Sequence, residues 1–225
     1  MIAHPVEVEV ASHTAAVERG EVPCDRARCP RCEVYPGSFK YHARRQRQFL
    51  VIIGRLVREV ISALTRWKCP CCGQTFTLYP SFALPHKQYV RQDIARLAQA
   101  YVGDDKLSYR KATQVKGMAV CYGSQRHDDQ QVDDRVLGPS TLHRWVGWLG
   151  SLKQTLQQAW RLIRSKSPTC DLFRKAVGVP GWKYRCEARR DLLQRCCRLL
   201  KTNRVYQDLF DISIFTELAT VYHWR

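Results

Sequence analysis

The feature that most constrains this chain is a pair of short cysteine turns, Cys29-Pro-Arg-Cys32 and Cys69-Pro-Cys-Cys72. A C-x-x-C spacing lets two thiolates point at one ion while turn amides stabilise their charge, and two such turns complete a tetrahedral four-sulfur site. Between them runs FKYHARRQRQFLVIIGRLVREVISALTRWK, rich in β-branched and aromatic residues and broken at Gly54. That composition predicts antiparallel strands that return the second turn to the first, the plan of a zinc ribbon over 23–85. One structural Zn²⁺ held by Cys29, Cys32, Cys69 and Cys72 is expected, in a closed site with no coordination position left for water and no chemistry of its own. Within CPCCG, Gly73 favours Cys69 and Cys72 over Cys71, because the residue after the second ligand commonly needs a positive φ. Glu33 follows the first turn where Gly is expected, and Cys24 precedes Cys29 by five residues, so Cys24 and Cys71 stay open as alternative ligands.

Eleven cysteines would suit a disulfide framework in a small secreted protein, but a chain of 225 residues with an odd count and no export leader in MIAHPVEVEV points to reduced thiols. No run approaches the roughly 18 apolar residues of a membrane helix, so no membrane contact and a cytoplasmic, nucleoid-associated location are expected. Lys and Arg number 37 against 20 Asp and Glu, a net charge of +17, which favours a polyanion; double-stranded DNA is the expected partner. Residues 1–22, with Glu7, Glu9 and Glu18, are mildly acidic and read as a tail or edge segment. Positive charge gathers along the predicted strands at Lys40, His42, Arg44, Arg45, Arg47, Arg55 and Arg58, of which Arg44, Arg45 and Arg47 are candidates for phosphate contacts.

After residue 85 the periodicity becomes helical. Val90, Ile94, Leu97, Ala98 and Tyr101 share one face, with Asp93 and Arg96 on the other side. LSYRKATQVKG then offers Ser108 as a cap, Ala112 and Val115 inward and Gly117 as a stop, a short second helix. In GPSTLHRWVGWLGSLKQTL, Ser140 is placed to cap and is also a candidate DNA contact, and Leu142, Trp145, Val146, Leu149 and Leu152 form a buried stripe. The leading turn of that helix presents Thr141, His143 and Arg144 where a recognition helix meets base edges, Arg being the commonest reader of guanine. Together, 86–165 reads as a helix-turn-helix domain with an inserted loop at 118–137, since the usual turn has only three or four residues. The loop carries His127, Asp128, Asp129, Asp133 and Asp134, read as a solvated grouping.

The combination of CPRC, TRWKCPCCGQTFTLYPSFALPHKQYV and PSTLHRWVGWL resembles zinc-ribbon plus helix-turn-helix proteins of bacterial mobile elements. These include the amino-terminal DNA-binding regions of insertion-sequence transposases and related uncharacterised transposon-associated proteins. The likeness covers about residues 24–165 and implies binding to element ends or an operator, with a transposase or recombinase as candidate protein partner. Such transposases continue into a catalytic domain of well over 100 residues, whereas about 60 remain here.

Residues 166–225 read as a basic helical segment reached through a Pro- and Gly-containing linker. Its helix sets Leu192, Leu193, Cys196, Leu199 and Leu200 on one side and Arg189, Arg190, Arg195, Arg198 and Lys201 elsewhere. Cys170, Cys186, Cys196 and Cys197 do not repeat the C-x-x-C spacing, and no second zinc is expected. The resulting expectation is an α+β chain, a small β ribbon followed by a mainly α domain and helical tail, acting as a non-enzymatic DNA-binding protein. Two rival classes stay open: a compact transposase or nuclease using Asp residues within 104–134 or 171–217, and a zinc-ribbon adaptor for protein or RNA.

Overall fold

Strands and helices mix in an α+β fold in the computed structural model, which describes all residues except 1–3, 25, 27, 124–131, 175–185 and 218–225. The described residues divide into two compact units, 4–51 with 59–91, and 52–58 with 92–217. Long strands β1 (Lys40–Ile53) and β2 (Leu56–Lys68) are neighbours in a five-stranded sheet that continues from β2 through β6 (Cys121–Gly123) to β7 (Val132–Val136), with β3 (Thr75–Thr77) also on β2.

The first unit begins with a helix where the sequence reads as a tail. α1 (Pro5–Glu18) starts on a capping box, in which the Glu7 carboxylate accepts from the His4 amide at 3.1 Å, with Pro5 supplying a pre-set φ in the first turn. Val6, Val10 and Val17 are buried in the unit's core with Phe49, Val51, Leu64, Phe82 and Leu84. Thr14 bonds Ser62 at 3.1 Å, and the His13 ring meets Phe82 edge-on at 5.7 Å. The segment after β3 is also built in: Phe82, Ala83 and Leu84 are almost fully buried. The Val90 amide donates to Leu50 and the Leu50 amide to Gln88, so this part of β1 has partners on both sides. β3 pairs antiparallel with β2, Trp67 opposite Phe76, which sets the second cysteine turn at the head of a hairpin.

The second unit is mainly helical, with α2 (Arg91–Gly103), α3 (Tyr109–Ala112), α4 (Pro139–Ser151), α5 (Lys153–Lys166), α6 (Asp171–Arg174), α7 (Glu187–Phe210) and α8 (Ile214–Glu217). α4 packs on α7 and α3, and α5 also packs on α7, so the carboxyl-terminal helix belongs to this core. Gly150 permits the closest approach: a Cβ there would lie 2.3 Å from the Leu192 carbonyl oxygen. Asp93, read as facing outward, is buried, and its carboxylate accepts from the Ile52 amide at 2.7 Å while pairing with Arg96 at 3.1 Å. A buried carboxylate is tolerable there because a backbone donor and a guanidinium satisfy it.

The stretch 118–137 is not one irregular loop. β4 (Gln114–Val115) and β5 (Met118–Ala119) form a small hairpin, and β6 (Cys121–Gly123) pairs antiparallel with β7 (Val132–Val136) and parallel with Leu56–Val57 of β2. Val115 thus enters a strand, and the short helix capped by Ser108, whose hydroxyl accepts from Lys111 at 3.2 Å, stops at Ala112. His127, Asp128 and Asp129 lie outside the described residues, as do the side chains of Asp133 and Asp134.

Candidate metal centre and basic surface

The two cysteine turns are near copies of one another. In the first, the Cys29 amide donates to the Val34 carbonyl at 3.1 Å and the Glu33 amide to Cys29 at 3.0 Å; in the second, Cys69 donates to Gln74 and Gly73 to Cys69, both at 2.9 Å. The residue after each second cysteine is left-handed, Glu33 at φ 59° and Gly73 at φ 70°. Glu33 therefore adopts the conformation that Gly supplies more cheaply, since an L side chain there costs about 1–2 kcal/mol. The departure from the glycine pattern is one of residue type, and the turn itself is unchanged.

These turns bring four sulfurs together. Cys29 Sγ lies 3.8 Å from Cys72 Sγ and Cys32 Sγ 3.9 Å from Cys69 Sγ, and all four fall within 4.8 Å of one another. Cys29 and Cys69 are buried and Cys32 and Cys72 half-buried, a set able to hold one metal ion. Among the described residues this is the only group of three or more His, Cys, Asp or Glu ligand atoms so close together. Cys71 is exposed and Cys24 half-buried, and neither belongs to the set.

The thiols do not share protons evenly. Cys69 is held down to about 6, chiefly by the Cys72 amide and then the Cys71 amide, against the opposing effect of burial. Cys32 is pushed up to about 12; the Val34 amide lowers it, but burial and the sulfurs of Cys29, Cys72 and Cys69 outweigh that donor. A cluster in which one thiol ionises readily while another resists is relieved when a cation neutralises the accumulated charge. The Arg31 amide adds a donor 3.4 Å from Cys29 Sγ, and its guanidinium ties the first turn to Gln74 of the second at 3.1 Å.

Leaving this centre, β1 is exposed at Lys40, His42, Arg44 and Arg45. Arg47 differs: its guanidinium donates to the Tyr79 hydroxyl at 3.1 Å and the Lys87 carbonyl at 3.0 Å, and it lies over the Phe49 and Tyr79 rings. It binds parts of its own unit together.

In the second unit, Leu142, Trp145, Val146 and Leu149 form the buried side of α4, with Leu152 just past its end, while His143 and Arg144 are exposed and Thr141 is half-buried. The cap is Gly138, so Ser140 sits inside the first turn, exposed, and does not cap. His143 rests against Tyr109, centroids 5.4 Å apart, and Tyr109 stacks on Tyr101 at 3.9 Å. Partial burial and then the charge of Arg189 lower the His143 pKa, which favours the neutral ring. Part of the basic tail is internal as well: Arg189 donates to the Tyr109 hydroxyl, and Arg195 Nε to the Gly150 carbonyl at 2.9 Å near the end of α4. Cys196 and Cys197 are buried on α7, where burial raises both thiols.

No family model matches the chain, and neither the curated proteins nor the solved structures include a match. Among the described residues, no helix is long and apolar enough to cross a membrane.

Proposed function

We propose that this chain is a zinc-stabilised, sequence-specific double-stranded DNA-binding protein, an accessory or regulatory factor of a bacterial mobile element. The observation that carries the reading is the exposed basic half of β1, Lys40, His42, Arg44 and Arg45, running directly from a four-thiol centre on a chain of net charge +17. Zinc is the metal assigned in this reading: a single tetrahedral ion about 2.3 Å from each sulfur sets neighbouring sulfurs about 3.8 Å apart, a spacing that leaves no room for a multi-atom iron–sulfur core. The closed site folds the ribbon and offers no open position for substrate.

In this reading Arg44 and Arg45 take phosphates, supplying salt-dependent affinity without sequence information. α4 acts as the recognition helix of a helix-turn-helix interrupted by the β4–β7 strands, and Thr141, His143 and Arg144 meet base edges in the major groove. Ser140, in the first turn of α4, is placed for a phosphate oxygen. Arg47 contributes by holding its own unit together.

The test begins with selection of bound fragments from random duplex DNA, followed by binding to the selected and to unrelated duplexes over a salt series. Arg144→Ala should lower affinity for the selected duplex by about 1–3 kcal/mol and flatten discrimination. Arg44→Ala should weaken both duplexes alike and reduce the salt slope by about one. Equal losses on both duplexes for both variants would remove α4 from the readout.

A further inference from the structure

The cysteine turns carry exposed aromatic rings for which duplex binding has no use. Tyr35, three residues past Cys32, is 61% exposed, and the Arg28 guanidinium lies 4.4 Å over its ring. Tyr41, near the start of β1, is 56% exposed and meets Trp67 edge-to-face at 5.7 Å. Trp67, two residues before Cys69, is held by its Nε1 donating to Thr65 Oγ1 at 3.0 Å. The exposed Lys40 and Lys68, with the His42 ring, are the immediate chain neighbours of Tyr41 and Trp67. Phe39 and Phe76 pack edge-to-face at 5.0 Å, with Phe76 buried, so the module has an aromatic core apart from these rings.

A single exposed tyrosine is ordinary. Here two are set against a guanidinium and an indole in a strongly basic neighbourhood: residues 24–48 and 66–79 hold nine Arg and Lys against only Asp25 and Glu33. The complementary ligand carries regular negative charge and also flat apolar faces free to stack. Single-stranded nucleic acid has both, whereas the base faces of a duplex are already stacked on one another. A protein partner of matching charge would be acidic but would not need open ring faces beside each cluster of cations.

We propose that the ribbon binds unpaired nucleotides, bases stacking on Tyr35, Tyr41 and Trp67 while Arg28, Lys40 and Lys68 meet the phosphates. This goes beyond duplex recognition and makes no use of α4, so either reading can fail alone.

The test measures fluorescence anisotropy of the zinc-loaded full chain with labelled oligothymidylate, oligouridylate and an unrelated duplex. Tyr35→Ala and Tyr41→Ala should each weaken oligothymidylate binding about 5- to 150-fold, the range for losing one base–aromatic stack, with duplex binding and metal content unchanged. Tyr41→Phe should keep the wild-type affinity, because stacking needs the ring and not the hydroxyl. The oligouridylate arm separates RNA from DNA as the source of the strand. Equal losses on strand and duplex, or unaltered strand binding with full metal content in both alanine variants, would overturn the proposal. Failure of the wild-type chain to bind either single strand would also overturn it and leave the rings to a protein surface. Strand binding without any duplex binding would instead sink the earlier reading and leave this one standing.

Discussion

The two units differ in what each adds to a buried apolar core. In the first, a pair of matching turns gathers four cysteine sulfurs, and the strands beside them spend much of their length exposed and positively charged. In the second, order comes from apolar packing: Leu142, Val146 and Leu149 of α4 and Leu193, Cys196 and Leu199 of α7 are buried, and Gly150 sits against Leu192. The first unit also has an apolar core, Phe49, Val51, Leu64, Phe82 and Leu84 with the valines of α1, and adds a four-thiol cluster fit for a metal beside strands that expose cations, while the second unit leaves His143 and Arg144 exposed on α4. Metal loss and core mutation should therefore damage different parts of the molecule.

The sharpest way to break that contrast is to remove a ligand. Cys69→Ser should abolish stable metal retention and unfold the ribbon, since structural zinc supplies an apparent 10–16 kcal/mol, roughly, in small thiolate modules. The helical far-ultraviolet signal of α4, α5 and α7 should largely persist; its collapse would show that the second unit depends on the metal. Next comes the reverse experiment, Gly150→Ala. The added Cβ would meet the Leu192 carbonyl oxygen at 2.3 Å, and the helices must part at a cost of about 3 kcal/mol, read by urea unfolding, with bound metal unchanged.

A smaller effect is expected at Asp93. Asp93→Ala leaves the buried Ile52 amide without its 2.7 Å acceptor and should cost about 2 kcal/mol by the same measurement; no change would mean water replaces the carboxylate. The smallest effect tests the likeness of the two turns. Glu33→Gly relieves a left-handed residue and should stabilise the metal-loaded chain by about 0.5–1 kcal/mol, after the entropic cost of glycine, whereas Gly73→Ala should destabilise it by a similar amount. If both substitutions destabilise, the Glu33 side chain has a role that its backbone conformation does not reveal.

The four clustered cysteines were legible in the sequence because C-x-x-C is a local signal whose geometry survives in almost any context. The buried stripe of α4 was legible for a similar reason, a clean helical period from Leu142 to Leu149. α1 was hidden because Val6-Glu7-Val8-Glu9-Val10 alternates like a strand, and tertiary burial of one valine face decides the matter for a helix. β4 to β7 are two to five residues long, too short for periodicity to register. Asp93, Arg47, Arg189 and Arg195 look like surface charges in sequence, yet each is satisfied by a backbone group or side chain contributed from elsewhere in the fold. Such partners, distant along the chain, leave no local pattern; the cap of α4 falls on Gly138 and not on Ser140 for a local reason, Pro139 standing in the first turn.

X-ray absorption at the zinc edge, combined with metal quantification on protein purified from zinc-replete cells, addresses the central assertion most directly. One zinc per chain with four sulfurs at about 2.3 Å is the predicted result. A zinc-free protein, or a shell containing nitrogen or oxygen in place of sulfur, would contradict it.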